Sequence, residues 1–166
     1  MSKVVIITGG GRGIGAATAR LAAQRGYAVC INYLRNRAAA HGVVADIERA
    51  GGKAIAVAAD VALEPDVVRM FETVDKALGP LTALVNNAGT VERQMRVEKM
   101  SAERLARVFA VNVFGSFLCA REAVRRMSTK QGGRGARSST CLRAPRGWAL
   151  PTSTWTTPPP RARSTR

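Results

Sequence analysis

The amino-acid sequence predicts an α/β fold, a doubly wound parallel sheet with helices on both faces. Three observations predict it. Lys3 to Thr8 is an unbroken β-branched run, the mark of a strand buried on both sides. Further short apolar runs alternate with longer helical stretches, in the order β-α-β-α-β-α-β-α, which calls for right-handed crossovers between parallel strands. A glycine-rich turn joins the first run to the first helical stretch.

The elements follow in order. After the Lys3–Thr8 strand and Gly9–Gly15, a helical stretch continues through Arg25, and Tyr27 to Asn32 is a second strand. Ala38 to Ala50 has helical composition and stops at Gly51-Gly52, a C-cap signal. Lys53 to Ala59 is a third strand, and Glu64 to Leu78 a helix that places Val67, Val68, Phe71, Val74 and Leu78 near one face. Leu81 to Asn86 is a fourth strand, and Ser101, a suitable N-cap, opens a long helix that runs to about Ser128.

A chain of 166 residues suits one domain, and a 46% hydrophobic content excludes a wholly disordered one. No apolar run approaches the roughly 18 residues of a membrane span. The N-terminus enters a strand pattern at once, without the marks of a signal or transit peptide. Cys30, Cys119 and Cys141 form neither a disulfide framework nor a metal-ligand spacing; a reducing, cytoplasmic setting is expected.

The net charge of +15 is unevenly distributed. Residues 1–127 carry 18 Lys and Arg against 11 acids, whereas residues 128–166 carry eight cations and no acid. The second part also holds both tryptophans and five of the seven prolines. Two regions are therefore expected, a folded body over 1–130 and an Arg/Pro-rich, disordered tail over 131–166. The tail has no periodicity and little aromatic interleaving, so nucleic-acid binding through it is the weaker reading.

The turn Thr8-Gly9-Gly10-Gly11-Arg12-Gly13-Ile14-Gly15 has the chemistry of a phosphate cradle. Gly9 suits the tight turn, Gly13 the close approach of a pyrophosphate, and Gly15 the packing of helix on strand. Free N–H groups at a helix start attract phosphate. At the end of the second strand a carboxylate would pair with the ribose hydroxyls of NAD. The chain instead reads Asn32-Tyr33-Leu34-Arg35-Asn36-Arg37, with no acid and two arginines, and Arg12 adds a cation within the loop. NADP is favoured over NAD, although Arg35 and Arg37 would also suit a solvated helix start. His41 reads as a solvated surface histidine, and Glu64, Asp66, Glu72 and Asp75 as the exposed face of a helix.

With these residues in place, the body resembles the classical short-chain dehydrogenase/reductase family. Thr8-Gly9-x-x-x-Gly13-Ile14-Gly15, Asp60-Val61, Asn86-Asn87-Ala88-Gly89 and Asn112 within Val111-Asn112-Val113 match four family motifs in order, over residues 1 to about 135. The resemblance implies a Rossmann-type sheet and hydride transfer between NAD(P)H and a small carbonyl or alcohol. It implies that Asp60 and Val61 lie at the adenine, that Asn87, Ala88 and Gly89 line the cofactor, and that Asn112 belongs to the catalytic set. It also implies homo-oligomers, often through the long helix and its successor; the successor is missing here, which counts against oligomers of this chain.

The family's catalytic set continues with a serine that orients the substrate, a tyrosine that donates the proton, and a lysine four positions beyond the tyrosine that lowers its pKa. This chain has no tyrosine after Tyr33 and no lysine after Lys130, and Arg137 to Pro145 does not read as a buried strand. Back-translation suggests a cause. From the third base of the Ala136 codon, allowed codons for Ala136–Arg143 read Ala-Ile-Val-Asn-Val-Ser-Ser, a buried strand ending in serine. The same frame then permits a tyrosine, with a lysine four positions beyond. A frameshift explains the acid-free tail and implies a sheet reduced to the order 3-2-1-4. Its fourth strand is then an exposed edge, the long helix lacks packing partners, and the chain is catalytically inactive.

Overall fold

The computed structural model describes residues 3–128 and the backbone of residues 137–140. Strands β1 (Lys3–Ile7), β2 (Tyr27–Tyr33), β3 (Ala54–Ala58), β4 (Ala83–Asn86) and β5 (Arg137–Thr140) form one sheet, in the order β3-β2-β1-β4-β5. Every pairing is parallel. Helices α1 (Gly13–Gln24), α2 (Arg37–Arg49), α3 (Glu64–Ala77), α4 (Ala102–Phe109) and α5 (Gly115–Met127) lie between the strands. The doubly wound, Rossmann-type architecture and the order 3-2-1-4 are as the sequence predicts.

The unalternating β1 run has a direct cause. Val5 and Ile7 pack with Val29 and Ile31 against Ala16, Ala19, Val43 and Ile47 of α1 and α2. Val4 and Ile6 pack with Cys30 on the other side, against Val67, Phe71 and Val74 of α3 and Cys119 and Ala123 of α5. Both faces are covered, so neither tolerates a polar residue. Burial of Cys30 raises its thiol pKa to about 12. On α3, Met70 joins the buried face, while Val68, placed there by the sequence pattern, is only half-buried.

Local signals end the helices where the sequence places them. The Asn36 side chain caps α2 by accepting from the Ala39 amide at 2.9 Å. At its other end, Gly51 N–H donates to the Glu48 carbonyl and Gly52 N–H to the Ile47 carbonyl, with Gly51 at φ +80°. This is the paired capping geometry that glycine permits. Ser101 caps α4 by accepting from the Arg104 amide.

Two expectations need correction. The fourth strand is not an edge: β5 pairs along it from Ala83↔Arg137 to Asn86↔Thr140. Ladder hydrogen bonds are made by main-chain groups, so a polar segment can extend a parallel sheet that side-chain patterning would end. The long helix is not uniform either. A π-helical turn over Ala110–Phe114 separates α4 from α5. Immediately after it, Gly115 lies so close to Val61 that a Cβ would stand 2.9 Å from Val61 Cγ2. The expected disorder of the tail does not hold at Arg137–Thr140, which form β5; the rest of the tail lies outside the described residues.

Candidate functional site

The chain reverses its direction of travel across the sheet between β1 and β4, so a crevice opens at their C-terminal ends, where ligands of open α/β sheets bind. The glycine loop forms one wall. Gly9 and Gly13 have φ of +62° and +56°, a region that side-chain-bearing residues rarely enter. At Gly13 a Cβ would meet nothing within 4 Å, so the backbone there borders open space. At Gly15 a Cβ would stand 2.5 Å from Asn87 Nδ2 and 2.6 Å from the Gly9 carbonyl oxygen. The third glycine thus makes room for the loop itself and for Asn87, more than for the strand beneath.

Neutral side chains bracket this loop. Thr8, fully buried, accepts at Oγ1 from the amides of Asn87 (3.0 Å) and Ala88 (2.9 Å). Asn87 Nδ2 donates back to the carbonyls of Thr8 (2.9 Å) and Gly9 (3.1 Å). Asn87 and Ala88, just after β4, are thereby clamped to the glycine loop, with Gly89 half-buried beside them. Asn32 is buried at the end of β2, with its amide turned onto Gly9 and Ala59. Asn86, which the sequence places in a motif without giving it a role of its own, donates its buried amide to the Ser116 carbonyl at 3.1 Å and ties β4 to α5.

The rim is basic. Arg12, Ile14, Arg35 and Arg37 are exposed, Gly11 and Tyr33 are half-buried, and Tyr33 meets the exposed His41 edge to face. Among the described residues, no carboxylate pairs with Arg12, Arg35 or Arg37. Across the crevice, Asp60 Oδ1 accepts from the Ala62 amide, and the Asp60 amide donates to Asp66. That bond, with Arg69, holds the Asp66 carboxyl below its ordinary pKa. Val61 is buried beneath.

Asn112 lies on the π-helical turn and is half-buried, less enclosed than its apolar neighbours suggest, because the turn carries Val113 and Phe114 outward. Its amide embraces one residue: Oδ1 accepts from the Thr90 amide at 2.7 Å, and Nδ2 donates to the Thr90 carbonyl at 2.9 Å. A hollow of about 200 Å³ opens beside it, between Thr90, Glu92, Met100 and Leu105. No helix among the described residues is long and apolar enough to cross a membrane.

The residues fit a dinucleotide on the structure's own terms: a glycine cradle facing open space, a helix start behind it, and free cations at the rim. Comparison with known proteins agrees. The profile of the short chain dehydrogenase family matches residues 3–136. An uncharacterized Escherichia coli oxidoreductase, YgfF, is 52% identical over 132 residues, 80% of this chain and 53% of that protein. The tetrahydroxynaphthalene reductase of Pyricularia oryzae is 39% identical over 125 residues, 75% of this chain and 44% of that protein. A dehydrogenase/reductase from Sinorhizobium meliloti superposes with a TM-score of 0.73 at 36% identity, covering 76% of this chain and 50% of that one. A mutant Serratia marcescens short-chain dehydrogenase/reductase gives 0.72 at 37%, over 75% and 51%. The chain spans about half the length of the relatives it matches. The glycine cradle, the clamped Asn87 turn and these likenesses together make the chain a member of the short-chain dehydrogenase family.

Proposed function

We propose that residues 1–130 are the NADP-binding part of an oxidoreductase that moves a hydride to or from a small carbonyl or alcohol. The observation that carries this reading is the basic rim: Arg12, Arg35 and Arg37 stand exposed and unmatched by carboxylates among the described residues, with no acid at the end of β2. A 2′-phosphate needs cations there, whereas the ribose of NAD calls for a carboxylate. NAD is the lesser alternative. When bound, the cofactor supplies the hydride. The chain's own residues hold its phosphates at Gly9, Gly11, Gly13, Ile14 and Gly15, face its adenosine with Asp60 and Val61, and line its path with Ala88 and Gly89. Asn112 shapes the reacting end by holding Thr90.

Residues 1–166 contain no tyrosine beyond Tyr33 and no lysine beyond Lys130, so no proton donor of the family's type accompanies the cradle. We read residues from about 131 onward as an out-of-frame tail and this chain as inactive. The family match ends at residue 136, shortly after the composition shifts near residue 130, which supports that reading. The specific alternative, favoured by the same absence, is a dinucleotide-binding remnant without catalysis. The reading also carries a cytoplasmic location, in keeping with the free thiols of Cys30 and Cys119. Exposed Leu105, Phe109 and Phe117 along the long helix support pairing of two copies there.

Fluorescence titration of the chain with NADPH and NADH tests the cofactor. Arg35→Asp combined with Arg37→Asp is expected to weaken NADPH binding by at least about tenfold while sparing NADH; equal loss of both would remove the assignment. The nucleotide sequence across codons 128–140 separates the two readings of the tail. A single-base insertion or deletion there supports a catalytic lineage, and an intact frame supports the remnant.

A further inference from the structure

We propose that Asn32 is a positioning residue that sets the gap between the glycine loop and the exit of β3, and with it the affinity for the dinucleotide. The proposal rests on the cofactor reading above. Asn32 is 2% exposed, and its side chain is spent entirely on backbone. Oδ1 accepts from the Gly9 amide at 3.2 Å, and Nδ2 donates to the Ala59 carbonyl at 2.9 Å. The Asn32 main-chain carbonyl accepts from the next loop amide, Gly10, at 2.9 Å. One residue thus holds two successive amides of the cradle and the carbonyl that immediately precedes Asp60.

The chemistry at this position is exacting. Gly9 needs an acceptor and Ala59 needs a donor, about one side chain apart. A primary amide supplies both without charge. A carboxylate would satisfy Gly9 but turn a second acceptor toward the Ala59 carbonyl, and it would place a negative charge beneath a loop built to receive phosphate. An apolar residue would leave the half-buried Gly9 N–H and the buried Ala59 C=O unmatched. The left-handed φ of Gly9 makes its amide direction depend on this tie, because no side chain of its own restrains it.

The test compares Asn32 with Thr82, which makes an equivalent tie at the opposite end of the strands. Thr82 Oγ1 accepts from the Val4 amide at 2.9 Å and donates to the Val4 carbonyl at 2.8 Å. In the full chain, Asn32→Ala is expected to weaken NADPH binding by about tenfold or more and to speed hydrogen exchange at Gly9 without cofactor. Thr82→Val is expected to lower Tm comparably while leaving the Kd within about twofold. Asn32→Asp adds a pH profile. Its binding, relative to the parent chain, is expected to recover as pH falls, because a protonated carboxyl regains a donor for Ala59.

Equal Kd effects from Asn32→Ala and Thr82→Val, with the parent chain binding NADPH, would overturn the positioning role alone. A flat relative pH profile for Asn32→Asp would do the same and decides the matter if Asn32→Ala does not fold. Failure of the parent chain to bind either NADPH or NADH would overturn the cofactor reading, and this inference with it.

Discussion

Two junctions join neighbouring elements of this molecule by different means. At the crevice, Thr8, Asn32 and Asn87 tie the glycine loop to β2, β3 and the turn after β4 through neutral amide and hydroxyl hydrogen bonds. Between α3 and α5 the ties are ionic. Arg126 donates to Asp75 at 2.7 Å and Arg121 reaches Glu64, while within α5 Glu122 accepts from Arg125 and Arg126, each at 2.7 Å. The Arg126 guanidinium also lies over the Phe71 ring. Neutral ties hold their geometry across pH and salt and place no charge near a phosphate. Ionic ties can be stronger, but they depend on protonation and, where exposed, on salt.

Glu122, on α5, holds from behind the two arginines that reach α3, Arg121 and Arg126. Burial by itself would raise its carboxyl pKa. The Arg126 hydrogen bond and the charges of Arg125, Arg126 and Arg121 outweigh that and hold it below the ordinary carboxylate value. A depressed native pKa contributes stability that is present above the unfolded-state value, about 4.3, and is lost as pH falls through the native one.

The sharpest way to break the comparison is Glu122→Ala, which leaves the arginines beside an apolar site. It is expected to cost about 1–3 kcal/mol in denaturant unfolding at neutral pH, because the arginines left behind are partly solvated and Arg126 and Arg121 keep Asp75 and Glu64. Glu122→Gln should remove part of the acid-induced loss of stability that the parent shows. A parent chain with no such loss below about pH 4.3 would contradict the assignment.

Thr8→Val probes the neutral junction. Two half-buried amides lose their acceptor, and unfolding free energy should fall by about 1–3 kcal/mol, with no change in its pH dependence. Gly15→Ala follows. Its Cβ would press on Asn87 and the Gly9 carbonyl, costing about 1–3 kcal/mol and weakening NADPH binding, readable by thermal melts and titration. The smallest effect is expected at Phe117→Ser, where the side chain is 73% exposed. Stability should change by less than about 0.5 kcal/mol, while sedimentation should show reduced self-association if two copies pair along this helix.

The strands, the helices and the glycine turn were legible in the chain because each depends on residues a turn or a few positions apart. β1 declared itself by composition, α2 by Asn36 at its start and Gly51 at its end, and the loop by glycines at two positions of positive φ. The basic rim was equally plain, since Arg35 and Arg37 follow β2 directly. The ties were not legible. Thr8 meets a segment 79 positions away, and Asn32 one 27 away. Nothing local distinguishes an asparagine that will face a ligand from one turned inward. β5 escaped notice for a related reason: its pairing rests on main-chain groups that every residue carries.

By itself, the sequence determined the wound α/β plan, the cradle and its positive border, because backbone preference and burial are written in short-range pattern. Only the tertiary structure decided which polar groups serve the fold, that Asn112 grips Thr90, and that β4 acquires a neighbour. Those outcomes depend on strand register and on donors and acceptors meeting across distant segments, which no local pattern encodes.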